Sequence, residues 1–124
     1  MLRGAPSVDR VDELKIDRDD FLDKQDTKHY IWLIKTVCKR FGRAVLYINR
    51  SYSKSKGQHY LIKIKPAVNA LLANRIQRLL GDDPRRVAFN LARIKSGLNE
   101  WNKLFEEVGR RLRTIYRAAG HGKH

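Results

Sequence analysis

The sequence predicts an α+β fold, a small antiparallel sheet with a central β-hairpin packed against about four helices. Two runs rich in β-forming residues, Val45–Arg50 and His59–Ile64, flank a short loop of Ser, Lys and Gly, the pattern of a hairpin. Apolar residues at helical spacing fill the chain after Thr27 and again after Pro66. The 124 residues, 42% of them hydrophobic, suit one domain that buries a core without staples, and the single Cys38 leaves no internal disulfide.

Met1–Arg10, with Gly4 and Pro6, reads as a flexible arm ahead of a domain spanning residues 11–119. Val11–Phe21 is ambiguous: Leu14 and Ile16 alternate as in a short strand, which Asp17-Arg18-Asp19-Asp20 ends. Asp26 or Thr27 can cap the first clear helix, striped by Tyr30, Ile34, Val37, Cys38 and Phe41 and closed by Gly42. Cys38 on that stripe reads as a buried structural thiol. In the hairpin, period-two alternation puts Leu46, Ile48, Tyr60, Ile62 and Ile64 on one face. Tyr47, Asn49, His59 and Lys63 fall on the other, with Leu61 the apolar exception. Pro66 stops the second strand and opens a helix striped by Val68, Leu72, Ile76 and Leu79, up to Gly81. Asp82-Asp83-Pro84 starts a third helix, which runs through Val87, Leu91 and Ile94 to Gly97. Asn99 can cap a fourth, striped by Trp101, Leu104, Phe105, Val108, Leu112, Ile115 and Tyr116. Arg110, Arg111, Arg113 and Arg117 crowd its second half. Residues 120–124 read as a loose, disordered tail.

The net charge is +14, and it is unevenly spread. Residues 1–26 carry −3 and residues 27–124 carry +17, with no acid anywhere between Thr27 and Gly81. Solubilising surfaces intersperse both signs, so a long acid-free stretch points to a polyanion as partner. No apolar run approaches the ~20 residues of a membrane span, and the N-terminus lacks the apolar core of a signal peptide. A cytoplasmic protein with no membrane partner is the expectation.

The segment Tyr47–Tyr60 is the most informative. Single strands are held by a basic groove along the backbone and by rings that stack bases. Arg50, Lys54, Lys56 and Lys63 supply cations, Asn49 and His59 polar groups, and Tyr47 and Tyr52 rings. Tyr60 reads as core, whereas Tyr47 fits packing and stacking equally. Arg85, Arg86 and Arg93 add a second basic cluster beside Phe89, with Arg85 or Arg86 equally able to pair with Asp82 and Asp83. His29 reads as a surface residue, and His121 and His124, though spaced like metal ligands, sit in the tail. No CxxC, HExxH, P-loop or GxSxG is present, so no metal and no cofactor are expected.

Two resemblances add to this. Ser55-Lys56-Gly57-Gln58-His59 is similar to the Ser-x-Gly-x-His signature of archaeo-eukaryotic primases, and Asp17-Arg18-Asp19 to their Asp-x-Asp motif. That resemblance implies a catalytic set of Asp17, Asp19 and His59 with Mg or Mn, His59 meeting nucleotide phosphates. The third carboxylate of that family has no counterpart; Asn90 stands nearest to it. In composition and layout the chain also resembles the small single-stranded DNA-binding proteins of thermophilic archaea, of the ThermoDBP kind. That likeness implies a basic cleft with an aromatic floor.

The expected function is therefore non-catalytic binding of single-stranded DNA or RNA, with low sequence specificity. A metal-dependent nucleotidyl transferase or nuclease is the alternative. A double-stranded DNA-binding regulator using the last two helices is a third reading, and pairing of two copies through the C-terminal helix a fourth. The acidic N-terminal stretch is either a degenerate metal site or a competitor for the basic face.

Overall fold

In the computed structural model, residues 10–20, 22–52, 57–98, 100–102 and 112–119 are described. Four antiparallel strands, β1 (Val11–Arg18), β2 (Ala44–Tyr52), β3 (Gln58–Val68) and β4 (Arg113–Arg117), are ordered β1-β3-β2-β4. The β2–β3 hairpin is central, as its alternation predicts. Three helices occur among the described residues: α1 (Lys24–Arg40), α2 (Ala70–Leu79) and α3 (Pro84–Lys95). The flexible arm and the tail of the sequence reading lie outside the described residues, apart from Arg10.

One face of the sheet takes the core. Leu14, Ile16, Ile48, Tyr60, Ile62 and Ile64 meet Tyr30, Ile34 and Cys38 of α1 and Ala73 and Ile76 of α2, all buried. The Tyr30 and Tyr60 rings meet edge-on, with centroids 4.9 Å apart. Tyr30 donates its hydroxyl proton to Leu80 O at 2.6 Å, tying α1 to the end of α2. Asp23 caps α1 by accepting from Asp26 N, a turn earlier than either expected cap, and Gly42 closes the helix with φ +72.

An exposed strand edge offers unpaired N–H and C=O groups, and here the free side of β1 is covered. Lys15 N donates to Gln77 Oε1 and Asp17 N to Asp82 Oδ1. Asp17 O accepts from Asp83 N, and Lys15 O from Arg86 Nη2. These contacts belong to a polar network at the α2–α3 junction: Asn90 Nδ2 donates to Asn74 Oδ1, and Asn102 Nδ2 to Gln77 Oε1. Gln77 and Asn90 are fully buried.

Several expectations are corrected. Pro66 does not stop β3: it falls where the β1 register jumps from Glu13↔Lys63 to Val11↔Val68, a bulge that asks no ladder bond of it. The following helix starts instead at Ala70, capped by Asn69. Its inner face is Ala70, Ala73, Asn74, Ile76 and Gln77, and Leu79 is exposed. On α3 the buried residue is Asn90, while Leu91 points outward. Leu46 falls in a register shift of β2, so Val45 takes its core position. The predicted fourth helix ends as strand β4, because residues 113–117 complete the open side of β2. Trp101 precedes it in non-helical backbone and is buried. Residues 103–111 of that expected helix lie outside the described residues, and what is described offers neither a C-terminal helix face for a second copy nor a recognition helix. No helix among the described residues is long and apolar enough to cross a membrane.

Candidate nucleic-acid interface

Strand alternation places a set of polar and aromatic side chains on the sheet face opposite the core. Register aligns them in rows across the strands. Glu13, Lys63, Tyr47 and Arg117 form one row through β1, β3, β2 and β4. Lys15, Leu61, Asn49 and Thr114 form the next, and Asp17, His59 and Ser51 a third. Tyr47 thus has a cation in register on each side. The Arg117 guanidinium lies 5.9 Å from its ring centroid, within cation–π range. Thr114 Oγ1 donates to Asn49 Oδ1 at 2.7 Å. Lys63 Nζ pairs with Asp12 Oδ2 at 2.8 Å, and that pair holds the ammonium above its ordinary pKa.

The sequence-predicted residues divide by this geometry. Tyr47, Asn49, His59 and Lys63 come together on the face opposite the core, where Tyr47, Asn49 and Lys63 are half-buried and His59 is buried. Arg50 and Tyr52 alternate to the helix side, where the Arg50 guanidinium stands 5.1 Å over the Tyr52 ring. Arg50 Nη1 also donates to Thr27 Oγ1, which anchors the start of α1 to the sheet. Lys54 and Lys56 lie outside the described residues. Arg85 is exposed on α3. Arg86 is turned inward: Nε donates to Asp82 Oδ1 at 3.1 Å and Nη2 to Asn102 Oδ1 at 2.9 Å, leaving the side chain 12% exposed. Arg93 stands 5.9 Å over Phe89, an exposed ring, and donates to Asn90 Oδ1.

The residues of the catalytic alternative come only partly together. His59 Nε2 lies 3.3 Å from Asp17 Oδ1 across the β1–β3 pair, with the imidazole 1% exposed. Asp19 sits exposed in the bend after β1. Among the described residues no group of three or more His, Cys, Asp or Glu side chains could hold a metal ion. Asp17 and His59 are a two-donor set, which falls short of a Mg or Mn site.

Three contributors escape a sequence reading. Arg117 and Thr114 join the face only because residues 113–117 form a strand. Trp32 is 64% exposed on α1, in line with Lys28, Lys35 and Lys39 at intervals of four, three and four. Its displacement from the Tyr30–Ile34–Cys38 stripe was the available signal.

The chain is similar to a protein described as uncharacterized protein ORF144 of Acidianus filamentous virus 1 (isolate United States/Yellowstone). The two are 34% identical over 96 residues, covering 70% of this chain and 67% of the relative. No protein-family model and no solved structure matches the chain.

Proposed function

The chain belongs to the family of the viral ORF144 protein, and we propose that it is a non-catalytic single-stranded nucleic-acid-binding protein of low sequence specificity. The observation that carries this reading is the row in which Lys63 and Arg117 flank Tyr47. A ring between two cations supports stacking of a base while the cations meet phosphates on either side, and neither contact asks for a particular base. Asn49 and Thr114 in the next row add neutral hydrogen-bonding groups. The acid-free interval from Thr27 to Gly81 supplies the long-range attraction.

Competition among single-stranded DNA, single-stranded RNA and duplex of equal length tests the reading. Single strands should win, with a log–log salt slope near ~0.7 for each phosphate contact. Tyr47→Ala and Arg117→Gln should each weaken binding, the former by about 1–3 kcal/mol for one lost stack. A flat salt titration, or duplex bound as tightly as single strands, would refute it. Nucleotidyl transfer on Asp17, Asp19 and His59 has the 3.3 Å Asp17–His59 approach in its favour. Template-directed incorporation that Asp17→Ala abolishes would establish that alternative.

A further inference from the structure

On the helix side of β4, away from the Tyr47 row, a pocket of about 490 Å³ opens between the end of α1, the start of β2 and the end of β4. Its volume lies within the range of small-ligand sites. Lys35, Lys39 and Arg43 line it together with Tyr116, Val45 and Ala118, and among the described residues none of its lining is an acid. Register explains the sidedness: Tyr116 pairs with core-facing Ile48, whereas its neighbour Arg117 pairs with open-face Tyr47.

The cations are arranged in a way that packing alone does not explain. Lys35 and Lys39 stand four apart on one helical face, where like charges repel. The C-terminal helix dipole accounts for Lys39 in the last turn but not for Lys35, a turn earlier. Lys35 Nζ sits 4.5 Å over the Tyr116 ring. Arg43 is fixed by three carbonyls, Nη1 to Phe41 O, Nη2 to Ala67 O and Nε to Pro66 O. Those bonds orient the guanidinium without neutralising it and leave an N–H on each Nη. An aromatic ring and small apolar walls ringed by three cations fit a ligand with a flat apolar part and a compact anionic part.

We propose that this pocket is a second binding site and that it takes a nucleoside phosphate, the base displacing the Lys35 ammonium from the Tyr116 ring and the phosphate meeting Lys35, Lys39 and Arg43. The ligand comes either free or as the phosphorylated end of a strand. In the second case Trp32, on the Lys28–Lys35–Lys39 line, offers the next stacking surface. The site does not depend on the open-face reading, since no residue is shared.

The test is titration calorimetry of the full chain with adenosine 5′-monophosphate, adenosine and inorganic phosphate. Parallel titrations use one oligonucleotide carrying a 5′-phosphate or a 5′-hydroxyl. The monophosphate should bind at least tenfold more tightly than adenosine or phosphate alone. The exposed double variant Lys35→Gln/Lys39→Gln should weaken it tenfold or more with an unchanged melting temperature. Tyr47→Ala should leave monophosphate binding unchanged, which separates this site from the sheet surface. A 5′-phosphate preference that the double variant loses identifies the strand end as the source. Monophosphate binding without that preference identifies the free nucleotide. Absence of both, inorganic phosphate binding as well as the monophosphate, or indifference to the double variant would each overturn the proposal.

Discussion

Arg86→Met separates a basic residue that holds the fold together from one available to a ligand. The sequence leaves Arg86 equally suited to a ligand or to pairing with the cap aspartates, and the structure takes the second course: its guanidinium is held inside the protein by Asp82 Oδ1, Lys15 O and Asn102 Oδ1 at 3.1, 3.0 and 2.9 Å. The Asp82 side chain is fully buried, so removing Arg86 leaves its carboxylate without a counter-charge. Breaking one side of a buried pair costs about 3–5 kcal/mol. In a domain of this size a kilocalorie corresponds to roughly 3–5 °C, so the melting temperature should fall by about 10–25 °C. Arg85→Met, on the exposed side of the same turn, should change stability by less than about 0.5 kcal/mol.

Thermal and urea melts followed by circular dichroism measure both variants. Binding to a labelled oligonucleotide is then compared at a temperature where both remain folded. Arg86→Met should melt early yet bind normally. A variant that melts like the wild type but loses affinity would show that Arg86 serves the ligand, and would refute the bracing argument. The double variant Arg86→Met/Asp82→Leu should not recover stability, because Asp17 N and Asp83 N would lose the acceptor they share.

Two further outcomes follow from burial and backbone geometry. Desolvation pushes the Cys38 thiol up to about 11 from an ordinary 9.0, so it should resist alkylation at pH 8 until urea is added. Because the native state keeps that proton while the unfolded chain releases it, stability should fall as pH rises from about 9 to about 11. That slope should be shallower in Cys38→Ala, the remainder coming from Tyr30 and Tyr60, whose burial likewise raises their hydroxyls above the ordinary value, and rapid native-state alkylation would contradict the assignment. Gly81 and Gly42 both have positive φ, but a Cβ at Gly81 would lie 2.6 Å from Arg18 Nη1, whereas none of its like meets Gly42 within 4 Å. Gly81→Ala should therefore lower the melting temperature more than Gly42→Ala does, and equal shifts would argue against the clash.

The hairpin was legible because β2 and β3 alternate around one another's apolar residues, a local signal that needs no partner elsewhere. Strand β4 was not. Leu112, Ile115 and Tyr116 satisfy helical spacing, while Thr114-Ile115-Tyr116 equally satisfies strand preference. The open edge of β2, more than sixty residues away in sequence, decides between them. With β4 went Arg117, the second cation beside Tyr47. The inner faces of α2 and α3 were misread for another reason: Asn74, Gln77 and Asn90 are buried polar groups, and hydrophobic periodicity is blind to them. Their place inside comes from satisfying the β1 edge and each other, which no single-residue propensity encodes.

Charge asymmetry is the feature that structure most reinterprets. The acids of the N-terminal stretch are used locally, Asp12 on Lys63, Asp17 beside His59, Asp20 on Arg18 and Asp23 as the α1 cap. All of them sit on β1 or between it and the first turn of α1, so they offset cations on that side of the sheet alone. The β2–β4 side and the Lys28–Lys39 line keep their positive field, and both candidate sites lie there. Glu13 stands in the Tyr47 row itself, in register with Lys63, and Asp12 reaches the row through its ion pair with Lys63. Its ion pair is exposed, and such pairs contribute about 0–1 kcal/mol to stability. Asp12→Asn should therefore leave the melting temperature nearly unchanged while releasing Lys63 to a phosphate. Single-strand affinity should rise, and the log–log salt slope should steepen by about 0.7, one additional contact. The measurement is a salt titration of wild type and variant side by side. Unchanged affinity and slope would mean that Lys63 does not meet the backbone, and that the row binds through Arg117 alone.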